Sequence, residues 1–445
     1  MAGRKEMDLT TGRPFSSLLR FAIPIILGNL FQLFYTLADS VIVGKTLGAE
    51  LLAAVGSTSI IIYFVLCFIN GFTGGFGICL GQRCGARDER GMRKSIAVSM
   101  ILSVIFAVVL TTLCCVLSHQ IIRWMKIPAD IAEEAYAYMF VVLLGTGATV
   151  FYNMISNILR ALGDSKTPLY FLVFSSVLNI FLDILFILPL GMGVAGAAWA
   201  TILSQFLSAV LSLIVGMRRF EVLHLKKDDF ANLGNAMTVH LKTGFPMGFQ
   251  MSVMCIGQLA MQMVVNSLGT AAVAGYTAAS KADQLSVLVN NAMMTAISNY
   301  VAQNFGAGRK ERIQQGVRAS LIQTETFNLL MCAGIILLRH PIVELFMSNP
   351  TKEIYHYSDA YLTIVAPFYV ILGLLAVYRT AIQSMQNGWA PFAACMIELV
   401  MRISATVGLV GMLGYTSVCI ASPMAWFGAC ALLIPCYYRM MKAWK

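Results

Sequence analysis

The sequence predicts an all-α integral membrane protein of twelve transmembrane helices, arranged as two six-helix bundles related by a pseudo-two-fold along the membrane normal. Three observations carry that prediction. The 445 residues are 58% hydrophobic and only 12% charged, with mean hydropathy +0.76, whereas soluble domains carry about 25% charged residues. Apolar runs of the roughly twenty residues that a bilayer demands recur along the whole chain. Short motifs of the first half return in the second at a nearly constant offset.

The first run, 18–43, follows a polar, basic leader (MAGRKEMDLTTGRPFSSLLR) with no small-residue cleavage site, so it reads as retained rather than removed. Runs at 51–80, 94–117, 134–158, 168–190 and 195–216 come next, the last two joined by a tight turn at Pro189, Gly191 and Gly193. The longest polar gap, 217–240, reads as a cytoplasmic linker. It divides an N-terminal lobe (1–216) from a C-terminal lobe (241–445). The second lobe's runs are 241–267, 272–302, 316–338, 358–385, 391–413 and 416–438.

Lys and Arg orient these spans. With the N-terminus inside, 23 of the 31 fall in cytoplasmic segments, five fall outside (Lys45, Arg123, Lys126, Arg339, Lys352) and three lie within spans. That asymmetry puts both termini in the cytoplasm of a multi-pass protein of the cell membrane. The net charge of +10 is therefore a topology signal and speaks against nucleic-acid binding. The expected partners are the lipid bilayer and a small-molecule substrate, with the chain acting as a monomer.

The halves repeat. GQRCGARDERGMRKS (81–95) and AQNFGAGRKERIQQG (302–316) pair Gln82 with Gln303, Gly85 with Gly306 and Ala86 with Ala307, an offset of 221. At nearly the same offset Pro24 pairs with Pro246, and Leu47-Gly48 with Leu268-Gly269. Six helices per repeat is an even number, so both halves enter the membrane in the same direction. Parallel repeats of this kind occur in secondary transporters, with the substrate site near the midplane at the repeat boundary.

Eight ionisable residues fall inside spans: Asp39, Asp183, Lys281, Asp283, Glu325, Arg379, Glu398 and Arg402. Each costs roughly 2.5–3.5 kcal/mol at mid-membrane, which makes it a functional suspect. Glu398 and Arg402 stand i,i+4 and could form an ion pair on one helix face. Lys281 and Asp283 are two apart, so they do not simply neutralise each other. Glu325 and Arg379 have no partner readable from spacing.

Asp39 and Asp183 make the sharper case. In the first span Asn29, Gln32, Tyr35 with Thr36, and Asp39 draw one polar stripe, and Pro24 below it marks a hinge. In the fifth, Ser175 and Ser176, Asn179 and Asp183 do the same; in the sixth, Thr201, Gln205, Ser208 and Ser212. At 1.5 Å per residue, Asp39, Asp183 and Thr201 sit at one depth, roughly 8–10 Å below the outer surface. Burial and a second nearby carboxylate both raise a carboxyl pKa toward neutrality, and the same oxygens suit Na⁺. The residues do not choose between a proton and sodium.

Other chemistry is hard to find. The eleven cysteines are scattered through apolar segments without a CxxC, and the five histidines lie near span ends or in loops. No metal site, cofactor motif, G-x-S-x-G or HExxH is present, so no enzyme is expected.

Taken together, the chain resembles the multidrug and toxic compound extrusion (MATE) family over essentially its whole length. The resemblance rests on the six-plus-six spans, the early proline followed by Leu-Ala-Asp-Ser at 37–40, Gly85-Ala86, LRALGDSKTP at 159–168, and Leu178 to Asp183. It implies an antiporter that expels amphiphilic, often cationic, compounds as H⁺ or Na⁺ runs inward, by alternating access with bending of the first helix. It also implies that the cation or proton site is Asp39, Asn179, Asp183 and Thr201. The substrate cavity is expected to include Gln32, Tyr35, Asn157, Lys281, Asp283, Glu398 and Arg402. Some members carry a second acidic site on the seventh and tenth spans. Here those spans offer the neutral Gln258, Gln262 and Asn266, and Arg379. The alternative reading is a flippase for lipid-linked sugars, a class that shares the architecture but favours strongly cationic cavities; this chain offers only Lys281, Arg379 and Arg402.

Overall fold

The computed structural model describes residues 8–47, 49–124, 132–346 and 350–444, without the side chains of 37–47, 49–54, 57, 124 and 345–346. The described residues are helical throughout, with short turns between helices. In the first repeat these are α1 (Pro14–Leu47), α2 (Ala49–Gly85), α3 (Glu89–Trp124), α4 (Ala132–Leu144), α5 (Thr146–Ala161), α6 (Lys166–Ile187) and α7 (Gly193–Arg219). The second repeat holds α8 (Gly234–Ser267), α9 (Thr270–Gly306), α10 (Lys310–Leu337), α11 (Arg339–Phe346), α12 (Lys352–Val365), α13 (Tyr369–Ser384), α14 (Trp389–Ile403), α15 (Val410–Leu413) and α16 (Thr416–Ala443).

Ten of these segments, one of them joining α12 to α13, are long and apolar enough to cross a membrane, and α4 with α5 makes an eleventh. That span, expected to be one helix, is bent by 42° at Gly145. A Cβ at Gly145 would lie 2.1 Å from Ile202 Cγ1, so α7 wedges its isoleucine into the break. The remaining expected span is α9. Its 37 residues are ample in length, but Lys281, Asp283 and a series of Asn and Gln leave it too polar to pass on apolarity. Along α3, Val104 (64% exposed), Val108 and Val116 point outward, as a lipid-facing surface requires.

Two compact units emerge, and they do not follow the expected cut at 216 and 241. One unit holds Leu27–Gly248 and the other Leu9–Ile26 with Phe249–Lys445. The boundary thus runs through two helices, two residues past Pro24 in α1 and two residues past Pro246 in α8. The segment expected as a linker is part of the first unit's core. Phe220 and Leu223 are buried with Leu80, Ile96, Met154 and Ile158, and Leu233 is buried with Phe72, Phe76, Val98 and Leu102.

The repeated Gln-x-x-Gly-Ala motif has a structural job in the second unit, where it holds the strand of chain that leads into α1. Gln303 Oε1 accepts from the Leu9 N–H (3.1 Å), and Asn304 Nδ2 donates to Leu9 O (3.1 Å). Arg309 donates to Thr10 O (2.7 Å), and Arg312 donates to Thr11 O and Gly12 O, each at 3.0 Å. In the first unit α2 meets the start of α8 through glycines. A Cβ at Gly71 would lie 2.3 Å from Met247 O, and one at Gly75 would lie 2.6 Å from Gly244 Cα.

Candidate functional site

The first unit brings three helices together at Asn179. Its helix, α6, begins where Asp164 accepts hydrogen bonds from the N–H groups of Lys166 (3.0 Å) and Thr167 (2.9 Å) and pairs with Arg219 (2.9 Å). That capping explains the LGDSKTP part of the motif, because a carboxylate satisfies the unpaired donors of a helix start. Along α6, Ser175, Ser176, Asn179 and Asp183 are all buried, as their spacing predicts. Asp183 is fully buried and Asn179 is 1% exposed.

Around Asn179 the contacts are short. Its amide lies 2.6 Å from the Tyr35 hydroxyl of α1, 3.2 Å from Thr201 Oγ1 of α7 and 3.0 Å from Asp183 Oδ2. One orientation of the amide satisfies all of these neighbours together with the Thr201 backbone N–H at 3.0 Å. With Asp183 ionised, Nδ2 donates to Asp183 Oδ2 and to Tyr35 Oη, and Oδ1 accepts from Thr201. Thr201 Oγ1 also lies 3.1 Å from Ala197 O. One amide thereby links the Asp183 carboxylate to Tyr35 of α1 and to Thr201 of α7. An amide is suited to this because it presents a donor and an acceptor at one place.

Asp39 follows Tyr35 by one turn of α1, and its side chain lies outside the described residues. Gln32 is exposed and Tyr35 half-buried. Asn157 stands apart from Asp183: it donates to Thr73 Oγ1 of α2 at 3.2 Å. In the sixth-span stripe Gln205 accepts from Thr149 of α5 (2.8 Å), while the buried hydroxyls of Ser208 and Ser212 have no hydrogen-bond partner among the described residues.

In the second unit the charges pair differently from the expectation. Glu398 engages Arg379 across the helix pair α13 and α14, not Arg402 one turn along its own helix. Both members are buried, each 3% exposed. A helix-surface pair needs only adjacency along one helix, whereas a buried carboxylate takes whichever cation completes its desolvated shell. Spacing alone could not find that partner. Nearby, Gln383 donates to Gln250 of α8 (2.5 Å). Asn290 of α9 bonds Asn328 of α10 (2.9 Å), which in turn donates to Tyr369 O (2.9 Å). Lys281 is exposed and Asp283 half-buried. On α8, Gln262 donates to Asn266 (2.8 Å), along the exposed neutral stripe. No group of three or more His, Cys, Asp or Glu suited to a metal ion occurs among the described residues.

Comparison with known proteins places this arrangement. The MatE family profile matches residues 24–185 and again 246–407, the two copies beginning at the paired prolines. The probable multidrug resistance protein YpnP of Bacillus subtilis is 31% identical over 99% of this chain and 98% of its own length. The probable multidrug resistance protein NorM of Thermotoga maritima is 26% identical over 86% of this chain and 82% of its own. Among solved structures, a crystal structure of MATE in the bent conformation superposes with a TM-score of 0.91 at 26% identity, covering 100% of this chain and 99% of that one.

Proposed function

Because the chain belongs to the multidrug and toxic compound extrusion (MATE) family, we propose that it is an antiporter exporting amphiphilic, often cationic, drugs or metabolites in exchange for inward H⁺ or Na⁺. It is a multi-pass membrane transporter and not an enzyme. The coupling site is Asp39, Asp183, Asn179 and Thr201 in the first unit. It works by alternating access in the plasma membrane, with both termini cytoplasmic and the chain acting as a monomer.

The observation that carries this reading is the contact of Tyr35, Asn179, Asp183 and Thr201, which ties three helices to the charge on one fully buried carboxyl. A cation arriving at that carboxyl changes which hydrogen bonds α1 can make at Tyr35. Pro24 removes a backbone hydrogen bond from α1, so the helix that carries Tyr35 and Asp39 is the one most easily bent. Energy from the gradient thereby reaches a movable wall.

The test is efflux by purified protein in liposomes with ΔpH and ΔNa⁺ imposed separately. Wild type is expected to expel a cationic amphiphile under one of the gradients. Asp39→Asn is expected to insert and fold normally and to lose gradient-driven efflux. Full efflux by that variant would remove Asp39 from the coupling site.

A further inference from the structure

Arg402, expected in the substrate cavity, is a buried cation of the second unit that the fold leaves without an ion pair among the described residues. It sits in the last turn of α14 and is 7% exposed. Its Nε has no hydrogen-bond partner, and the carboxylate one turn earlier, Glu398, is held by Arg379. Among the described residues the guanidinium makes no ion pair. Its ionisable neighbours include Tyr361, Tyr276, Cys395 and Asp283, and also the paired Arg379; Asp283 stands beyond the 4.0 Å of an ion pair. Asp283 Oδ1 and the hydroxyls of Tyr369 and Tyr415 are buried with no hydrogen bond inside 3.5 Å, and the Tyr361 and Tyr369 hydroxyls lie beside the Asp283 carboxyl.

The backbone around Arg402 is shaped for it. On α8, Gly257 leaves the space that a side chain would fill: a Cβ there would lie 3.2 Å from both Cδ and Nη1 of Arg402. Directly after α14 the helix widens into a π turn over Ser404–Gly408, a distortion that collects at functional sites. A guanidinium carries five donors in a rigid fork that matches carboxylate and phosphate. Leaving it dehydrated and unpaired is costly, and a membrane helix keeps such a group when it is used.

We propose that Arg402 and Asp283 form a binding site for an amphoteric compound, whose carboxylate or phosphate group sits on Arg402 and whose cationic group faces Asp283. A free inorganic anion meets the Asp283 charge as well as the Arg402 charge and gains little. A ligand bearing both signs satisfies both residues. Lys281, exposed two residues from Asp283 on the same helix, adds positive charge on the approach. The proposal rests on the export reading only in naming the ligand as cargo; its binding is measurable without transport.

The experiment uses the purified full chain in detergent and two dyes that differ at one group: rhodamine B, with a free carboxylate beside its cationic ring system, and its ethyl ester. Fluorescence anisotropy is expected to give about ten-fold or more tighter binding of the acid by wild type. Arg402→Met is expected to erase that preference and keep ester binding. Its melting temperature should stay unchanged or rise, because an unpaired buried charge is gone; a purely structural arginine would lower it. Arg402→Lys is expected to keep part of the preference. Equal affinity of wild type for both dyes overturns the proposal, as does a loss of stability in Arg402→Met with equal weakening of both dyes. Selective displacement of the acid by millimolar inorganic phosphate would make this a simple anion site and overturn the amphoteric assignment. Efflux of neither dye under any gradient, with the binding preference intact, would count against the export reading and for the site.

Discussion

Replacing Glu398 by glutamine tests the buried charge network at its centre. The substitution keeps the shape of the side chain and removes its charge, leaving the Arg379 guanidinium 3% exposed and without its carboxylate. Arg379 has little else to turn to: its Nε is unpartnered and its other contact is the thioether of Met254 at 3.8 Å. Breaking one side of such a pair costs about 3–5 kcal/mol. For a body of this size each kcal/mol moves the melting temperature by about 2–4 °C, so a drop of roughly 10 °C is expected. A thiol-reactive fluorogenic dye reads the transition, because Cys395, Cys419 and Cys430 are buried in the folded unit. The paired change Arg379→Met with Glu398→Leu is expected to recover most of the loss, since apolar replacement of a whole buried pair is often neutral or better. A drop below about 2 °C in Glu398→Gln, or a double variant no more stable than the single one, would refute the pairing and its assigned cost.

Two further outcomes follow from contacts in the fold. Gly75→Ala puts a methyl group 2.6 Å from Gly244 Cα, a backbone atom that cannot rotate away; overpacking of this kind costs about 1–3 kcal/mol, read as a fall in melting temperature. Arg312→Ala removes the donors to Thr11 O and Gly12 O and is expected to make the chain just before α1 several-fold more sensitive to limited proteinase K digestion between Leu9 and Gly12, with α10 itself intact.

Much of this molecule is written locally, and that part is legible. Apolar runs mark the spans because lipid offers no partner for exposed polar backbone, and the stripe of Ser175, Ser176, Asn179 and Asp183 announces its buried face by period alone. What escaped the sequence depends on other helices. The bend at Gly145 requires Ile202 of α7. The partner of Glu398 comes from α13 rather than from its own helix. The gap at 217–240 is polar on average, yet Phe220, Leu223 and Leu233 within it are buried, and three apolar residues in a charged stretch make no periodic signal. The candidate site itself was readable at Asn179, Asp183 and Thr201 because each lies on a regular stripe. The isolation of Arg402 was not, because spacing offered it a carboxylate that the fold gives to another residue.

The crossing of α1 and α8 between the two units bears on how such a chain can be divided or built. A break in the loop ahead of α8 yields two fragments, but neither fragment is one of the bodies. The N-terminal piece would carry Leu9–Ile26, which belongs with the second unit, and would lack the 234–248 stretch that completes its own. Each fragment would hold a loose end cut for the other. Split halves should therefore be stable in the membrane and functional only when produced together. A single ancestral repeat obeying the same rule would have had to exchange its leading helix with a second copy, as two clasped hands exchange thumbs. Fusing the copies into one chain turns that exchange into an internal bond.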